Sequence, residues 1–522
     1  MKACVGFPGN AAGRAGSIWS GDIAERHGFA RAPRESTAVR DRVWWIAAGD
    51  AVAHWKIDPE VSGLKLTRRE LLGTAIGAAG ALAGCGGNSR ETANAKPPNI
   101  VFIMLDDLGY ADFGCYGSEM IETPNVDRLC AESLKFTDCY AGGAVCAPSR
   151  SVLMTGFDTG HSSIRANAGT APIPPEDFTV GELLQQAGYV TGVFGKWGLG
   201  DAHTTGVPNL QGFDESFGYL HQIHAHTYYP EFLWKNGEKF PLPGNAGGGR
   251  KQYSADIIFE HSLDFIRNNK DRPFFLYGAS TLPHGKYEIP SDAPYTDRDW
   301  PQLAKNYAAM CTLADTQIGR LWDLLKELGL EEDTVLFVTS DNGGTRQQAE
   351  FFDSNKPLRG YKGQVYEGGI RVPMIVRWAG KTDAGRVSNV PWAFWDFLPT
   401  AAEIAGAETP AGIDGVSVLP TIIGSSRPVH EFMYWEQSSF SRKTKSLVPK
   451  SLQQGVRMGD WKTVIPRPGA PLELYNLAED IGESKDVSGA NPEIVTRITE
   501  YLKTARTEPR PQTGGTFTPA VN

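Results

Sequence analysis

From residue 98 onward the chain alternates two kinds of apolar pattern. Short uninterrupted runs recur: NIVFIMLDDLG (99–109), YVTGVFGKWG (189–198), PFFLYGAS (273–280), TVLFVTSDNGG (334–344) and PMIVRW (373–378). Such runs predict strands buried on both faces, as in a largely parallel sheet. Between them, apolar residues fall at helical spacing over TVGELLQQAG (179–188), YSADIIFEHSLDFIRNN (253–269) and NYAAMCTLADTQIGRLWDLLKELG (306–329). The first and last of these stop on a glycine, as helix C-termini commonly do. Strands alternating with helices predict an α/β fold: a large mixed, mostly parallel sheet sandwiched by helices. Past about residue 425 the pattern shortens. EFMYWEQ, QGVRMGDWKTVI and LELYNLAED predict short strands with tight turns, and PEIVTRITEYLKTART (492–507) a terminal amphipathic helix. This is a smaller C-terminal α+β subdomain, giving a catalytic domain over 98–425, a subdomain over 426–510 and a tail over 511–522.

Composition narrows the class without naming it. The chain has 522 residues, 41% hydrophobic and 21% charged, too many for one small core and too apolar for disorder. A net charge of −9, with no Lys/Arg-rich run, argues against nucleic acid as partner, though it says nothing of a local cationic pocket. Seven cysteines show no paired short spacing, which leaves zinc and iron–sulfur centres without support.

Ligands of open α/β sheets gather at the carboxyl ends of strands. Asp106, Asp107, Lys196, His284, Asp341 and Asn342 all fall at or just beyond such ends. Three carboxylates and an amide oxygen make a hard, oxygen-only donor set suited to calcium, or magnesium, better than to zinc. Either acid pair taken alone reads better as a helix or turn cap, but both together, flanking the Cys146 segment, do not. The stretch GGAVCAPSRSVLMTG (142–156) sets Cys146 just before a predicted helix. A reactive thiol, a buried structural cysteine and a site of chemical conversion all fit that position.

CAPSR, Cys146 to Arg150, followed by SVLMTG, resembles the type I (formylglycine-dependent) sulfatase signature. LDDLG, GKWGLG, SDNGG and LRGYKGQVYEGGIRVP resemble that family's companion blocks, in its order, between about 98 and 480. The resemblance, arylsulfatase-like and within the alkaline phosphatase superfamily, implies a sulfuric ester hydrolase. It implies that a maturation enzyme, the formylglycine-generating enzyme, oxidises Cys146 to an aldehyde. Its hydrate attacks sulfur with one hydroxyl and expels sulfate by ionising the other. By the same resemblance Asp106, Asp107, Asp341 and Asn342, with residue 146, hold the cation. Arg150 stabilises the nucleophile, Lys196 and Lys362 contact sulfate, and His284 protonates the leaving oxygen.

One block departs from the pattern. The usual GKWHLG reads GKWGLG here, so Gly198 stands where the family has a histidine that helps deprotonate the second hydroxyl. YLHQIHAHTYYP (219–230) offers a substitute base in His226, or in its neighbour His224. Tyr228, Tyr229, Phe232 and Trp234 read either as a sugar-stacking groove or as core, and Trp392, Phe394 and Trp395 as core. Two alternatives to sulfate hydrolysis stay open: a phosphate or phosphonate ester hydrolase of the same superfamily, and a non-catalytic, lipid-anchored protein that binds sulfated glycans.

The N-terminal region reads as an address. LTRRELLGTAIGAAGALAGCGG resembles a twin-arginine export signal ending in a lipobox, with lipid attached at Cys85. Export to the periplasm or cell surface, with membrane contact only through that lipid, is the expectation. Residues 1–65 precede the 66–85 signal awkwardly and suggest a mis-assigned start, with initiation near Val61 or Leu64. Residues 86–97 read as a polar linker.

Overall fold

NIVFIML is buried at every position and forms the strand β1 (Asn99–Leu105) at the middle of the molecule. In this computed structural model the described residues are 96–509, apart from 169–171, 426–429, 442 and 445. The 1–65 extension, the 66–85 signal with Cys85, most of the linker and the 511–522 tail lie outside them. None of the described helices is long and apolar enough to cross a membrane.

The strands that follow are β2 (Leu134–Tyr140), β3 (Val190–Lys196), β4 (Glu215–Tyr219), β5 (Phe232–Lys235), β6 (Glu238–Pro241), β7 (Phe274–Ala279), β8 (Thr334–Ser340), β9 (Arg371–Trp378), β10 (Val387–Ser388) and β11 (Trp392–Ala393). They build one sheet in the order β10-β2-β9-β8-β1-β7-β3-β4-β5-β6, with β11 also on β2. The central strands β8, β1, β7, β3 and β4 run parallel to one another. β9 is antiparallel to both β8 and β2, and β5 to both β4 and β6. The sheet is therefore mixed, and parallel where it carries the site.

The helices α1 (Pro124–Ala131), α2 (Cys146–Thr155), α3 (Val180–Gln186), α4 (Ser254–Asn269) and α5 (Gln302–Glu327) cover both faces. Alternation along β1 divides the core: Ile100, Phe102 and Met104 join the layer with α2 and α3, while Val101, Ile103 and Leu105 join that with α1, α4 and α5. Trp392, Phe394 and Trp395 are core residues, as read from the sequence. α3 begins with a capping box, in which Thr179 Oγ1 accepts from the Glu182 N–H and Glu182 Oε2 accepts from the Thr179 N–H.

The C-terminal region contributes β12 (Met433–Gln437), β13 (Phe440–Ser441), β14 (Ser446–Leu447), β15 (Gln453–Met458), β16 (Trp461–Ile465) and β17 (Glu473–Asn476). β12, β15, β16 and β17 form an antiparallel sheet, with the helix Pro492–Tyr501 packed on it. Charged groups tie it to the main sheet. Buried Lys462 reaches Glu367 at 2.7 Å, and Arg457 reaches Asp138 at 2.6 Å.

Candidate active site

Four adjacent parallel strands, β8, β1, β7 and β3, deliver the chemistry at their carboxyl ends. β1 ends into Asp106 and Asp107, β8 into Asp341 and Asn342, and β3 on Lys196. The loop after β7 carries His284. Two of them are held by backbone bonds to a neighbouring segment: Asp106 N–H donates to Leu282 O (2.8 Å) and Asp341 N–H to Leu105 O (2.9 Å).

α2 supplies the remaining pair. Cys146 is its first residue, where the helix dipole favours negative charge. Arg150 lies four residues on and so on the same helix face. Gly142 N–H donates to Ser149 Oγ and Ala147 N–H to Asn167 Oδ1, which fixes the turn into the helix. Pro148 in the first turn costs no hydrogen bond.

The side chains converge. Cys146 Sγ is 3.5 Å from Asp106 Oδ1 and 3.4 Å from Lys362 Nζ. Lys196 Nζ sits 2.7 Å from Asp106 Oδ2. Lys362 Nζ bonds both oxygens of Asp107, at 2.5 and 2.7 Å. Arg150 donates to Asp341 Oδ2 through Nη2 (2.8 Å) and to Lys196 O through Nη1 (2.6 Å). Asn342 Nδ2 donates to Asp107 Oδ1 (2.9 Å), and the Asp107 N–H to Asp341 Oδ1 (3.1 Å). All the sequence-derived site residues on these elements are thus brought together.

The environment sets the charges. Burial pushes the Cys146 thiol up to about 12, against the pull of Lys196 and Lys362. Burial acts to raise Asp107, but Lys362, His284 and Lys196 together outweigh it and hold the carboxyl well below its usual range. Burial and the neighbouring Asp106 lift Asp341 to about 6. Burial takes His284 down to about 4, despite Asp107. An anion arriving beside it would reverse that push, because negative charge favours the imidazolium.

The donor set fits a hard cation. Asn342 Oδ1 is buried and has no hydrogen-bond partner among the described residues, a state that costs free energy unless something positive meets it. His284 Nδ1 lies 2.7 Å from Gly285 O, so the proton sits there and Nε2 is an acceptor. That Nε2 faces Asp107 Oδ2 at 3.4 Å, two acceptors apposed across a gap that a cation or a proton would fill. Asp106, Asp107, Cys146 and His284 each place one ligand atom within 4.8 Å of the others. His284 therefore borders the group of side chains that could hold a cation.

Of the two candidate bases, His226 reaches the site. Its ring stacks on His284 with centroids 4.5 Å apart. His224 instead packs against Tyr219 and Phe232. Burial, then His284, lowers His226 to about 4. Tyr228 is fully buried and is neither groove nor mere filling: its hydroxyl oxygen lies 2.5 Å from Thr281 O and 2.9 Å from His284 O, its one proton shared between them, bracing the loop that carries His284. Its place in an aromatic cluster was visible in sequence; that bracing contact was not.

This convergence of acids, lysines, arginine and a helix-terminal cysteine at one end of an alkaline phosphatase-like sheet defines an ester hydrolase centre. The sulfatase family model matches residues 98–407, and one described as N-sulphoglucosamine sulphohydrolase, C-terminal, matches 361–508. The chain belongs to the sulfatase family and is a sulfuric ester hydrolase. It is similar to Homo sapiens arylsulfatase A, 32% identical over 451 residues that cover 78% of this chain and 87% of that protein. It is also similar to Homo sapiens N-acetylgalactosamine-6-sulfatase, 33% identical over 455 residues, covering 78% and 85%. Among solved structures, Ps i-CgsB in complex with k-i-k-neocarrahexaose matches with a TM-score of 0.71 at 29% identity, over 81% of this chain and 95% of that one.

Proposed function

We propose that this enzyme removes sulfate from a sulfated carbohydrate or aryl ester, using residue 146 matured to formylglycine and a divalent cation, calcium or magnesium. The observation that carries the reading is the placement of Cys146 between Asp106 (3.5 Å) and Lys362 (3.4 Å), at the head of a helix. Three carboxylates (Asp106, Asp107, Asp341) face three cations (Lys196, Lys362, Arg150) in direct contact. That set is balanced by itself. A divalent ion makes it net positive, which suits an anionic ester whose leaving oxygen gains charge in the transition state. When bound on Asp106, Asp107, Asp341 and Asn342, the ion would supply Lewis-acid polarisation of a sulfate oxygen. The hydrated aldehyde would supply a hydroxyl nucleophile and a second hydroxyl whose ionisation frees sulfate.

The protein's own groups do the rest. Lys196 and Lys362 neutralise sulfate oxygens. Arg150 keeps Asp341 oriented and screens charge beside residue 146. His284 hands a proton from Nε2 to the departing alcohol, while Gly285 O holds its Nδ1 proton. His226 accepts a proton at the release step. Export by the twin-arginine route with a lipid on Cys85 would place this chemistry at the cell surface, where sulfated polysaccharides are met.

The decisive test is released sulfate from a panel of sulfated sugars and one aryl sulfate, each beside its phosphate analogue, with protein made in a host that supplies the maturation enzyme. Sulfate release that outpaces phosphate release supports the reading. Faster phosphate release would transfer the enzyme to the phosphoester class, and release of neither would leave a binding protein. Chelating the divalent ion should slow turnover by at least ~100-fold, restored by calcium or magnesium; undiminished turnover would remove the cation from the scheme. His226→Ala should lower kcat by about 10²- to 10⁴-fold, the usual worth of a positioned base, as read by steady-state kinetics.

A further inference from the structure

Gly198 stands where the resembled sulfatase block GKWHLG has a histidine, and the structure shows what lies beside it. Gly198 has φ +77°, a conformation that side chains disfavour. A Cβ built there would lie 2.2 Å from Gln222 Nε2, far inside contact distance. A side chain at 198 would therefore require the terminal amide of Gln222 to move. Gln222 is 6% exposed, and its Oε1 has no hydrogen-bond partner among the described residues. Its Nε2 approaches Gly198 O at 3.5 Å, at the limit of a hydrogen bond. A buried amide left half satisfied is costly if its only task is to fill space.

The loop that carries Gln222 also carries His226, and it is tied to the strand end that carries Gly198. Trp197 N–H donates to Tyr219 O (2.9 Å) and Gly198 N–H to Leu220 O (3.1 Å), extending the β3–β4 pairing past the strands. From there the chain folds into a tight turn. Ile223 N–H donates to His221 Nδ1 (3.0 Å), Ala225 N–H to His221 O (3.2 Å) and His226 N–H to Ile223 O (3.2 Å). Tyr219 Oη donates to Thr227 O (2.6 Å) and closes the turn. Gln222 is the side chain of this turn that meets Gly198, and His226, four residues on, is the one that stacks on His284.

We propose that Gln222 is a positioning residue for the reaction. Lodged in the space vacated at Gly198, it fixes the 219–227 turn so that His226, supplied by a different segment of chain, stands beside His284. Gly198, Gln222 and His226 act as one exchangeable unit. The inference rests on the sulfatase reading for its kinetic readout only; the placement of His226 is structural.

The test is a set of variants: Gln222→Ala, His226→Ala, their double, and Gly198→His combined with Gln222→Gly. Gln222→Ala is expected to lower kcat about tenfold or more with KM changed less than about twofold, and its crystal structure to show the His226 ring off His284. The Gln222→Ala/His226→Ala double should be no slower than His226→Ala alone, since the first change acts only through the second residue. In the Gly198→His/Gln222→Gly protein, kcat should no longer depend on His226. Multiplicative losses in the double, a change in KM alone, or an unmoved His226 in Gln222→Ala would each overturn the proposal. Should the histidine swap fail to fold, the Gln222/His226 cycle decides by itself. A wild-type enzyme that releases no sulfate, with His226 displaced in Gln222→Ala, would sink the function and leave the positioning claim standing.

Discussion

Protein in which residue 146 remains a thiol is expected to complete no repeated turnover, with its fold intact. Two independent arguments lead there. Burial pushes the thiol up to about 12, so the thiol and not the thiolate is the form present at neutral pH. A bound cation would pull that value down, but the second argument survives it. A sulfur or serine ester of sulfate has no neighbouring hydroxyl on the same carbon to drive release, so the first product stays on the enzyme. Cys146→Ala and Cys146→Ser should therefore both abolish multiple turnover. Stability should move by no more than about 2 kcal/mol, because the thiol makes only two long contacts, to Asp106 and Lys362. The measurement pairs the mass of the peptide containing residue 146 with released sulfate, batch by batch. Sustained turnover by a batch carrying only the thiol would refute the conversion.

What the sequence shows of this molecule follows from how local each signal is. β1, β3, β7 and β8 are buried on both faces, so their apolar runs stand out and their ends point to Asp106, Asp107, Lys196, Asp341 and Asn342. Cys146 and Arg150 share a helix face by spacing alone. β2 is hidden because LKFTDCY interrupts its apolar residues with Lys135, Thr137 and Asp138. Their polar groups are met by distant parts of the chain: Lys135 by Cys115 O, Thr137 O by Arg371, and Asp138 by both Arg371 and Arg457. No window of sequence contains those partners. The same holds for Gln222, whose meaning lies in a contact with Gly198, and for Tyr228, which acts through two carbonyls more than fifty positions away. The substitution at Gly198 was legible; the side chain that answers it was not.

The largest stability effect is expected where the small sheet meets the large one. Lys462 is fully buried between Glu367 (2.7 Å) and Glu483 (3.6 Å). Glu367 also accepts from Arg371 Nη1 (3.2 Å) and Tyr140 Oη (2.7 Å). Burial acts to raise the Glu367 carboxyl, yet Lys462, Arg371 and Arg457 outweigh it and bring it down to about 2. The drop below an ordinary glutamate is a contribution to stability. Because the folded value is the lower one, that contribution is present above the unfolded pKa, near 4.5, and is lost as pH falls toward 2. Lys462→Met strands a carboxylate in the interior and should cost about 3–5 kcal/mol, as broken buried pairs do. Lys462→Met/Glu367→Gln should recover part of that loss and flatten the acid limb of the stability curve. Activity should fall with the first change as well. Glu367 heads the segment that follows Lys362, and β15 grips the same loop through Gln453 Nε2 to Gly363 O (2.9 Å). Denaturant melts of the three proteins between pH 3 and 8 read both effects. A single Lys462→Met change that leaves the midpoint and its pH dependence untouched would show that the charges at this junction are screened by water and that the sheets are held by apolar contact alone.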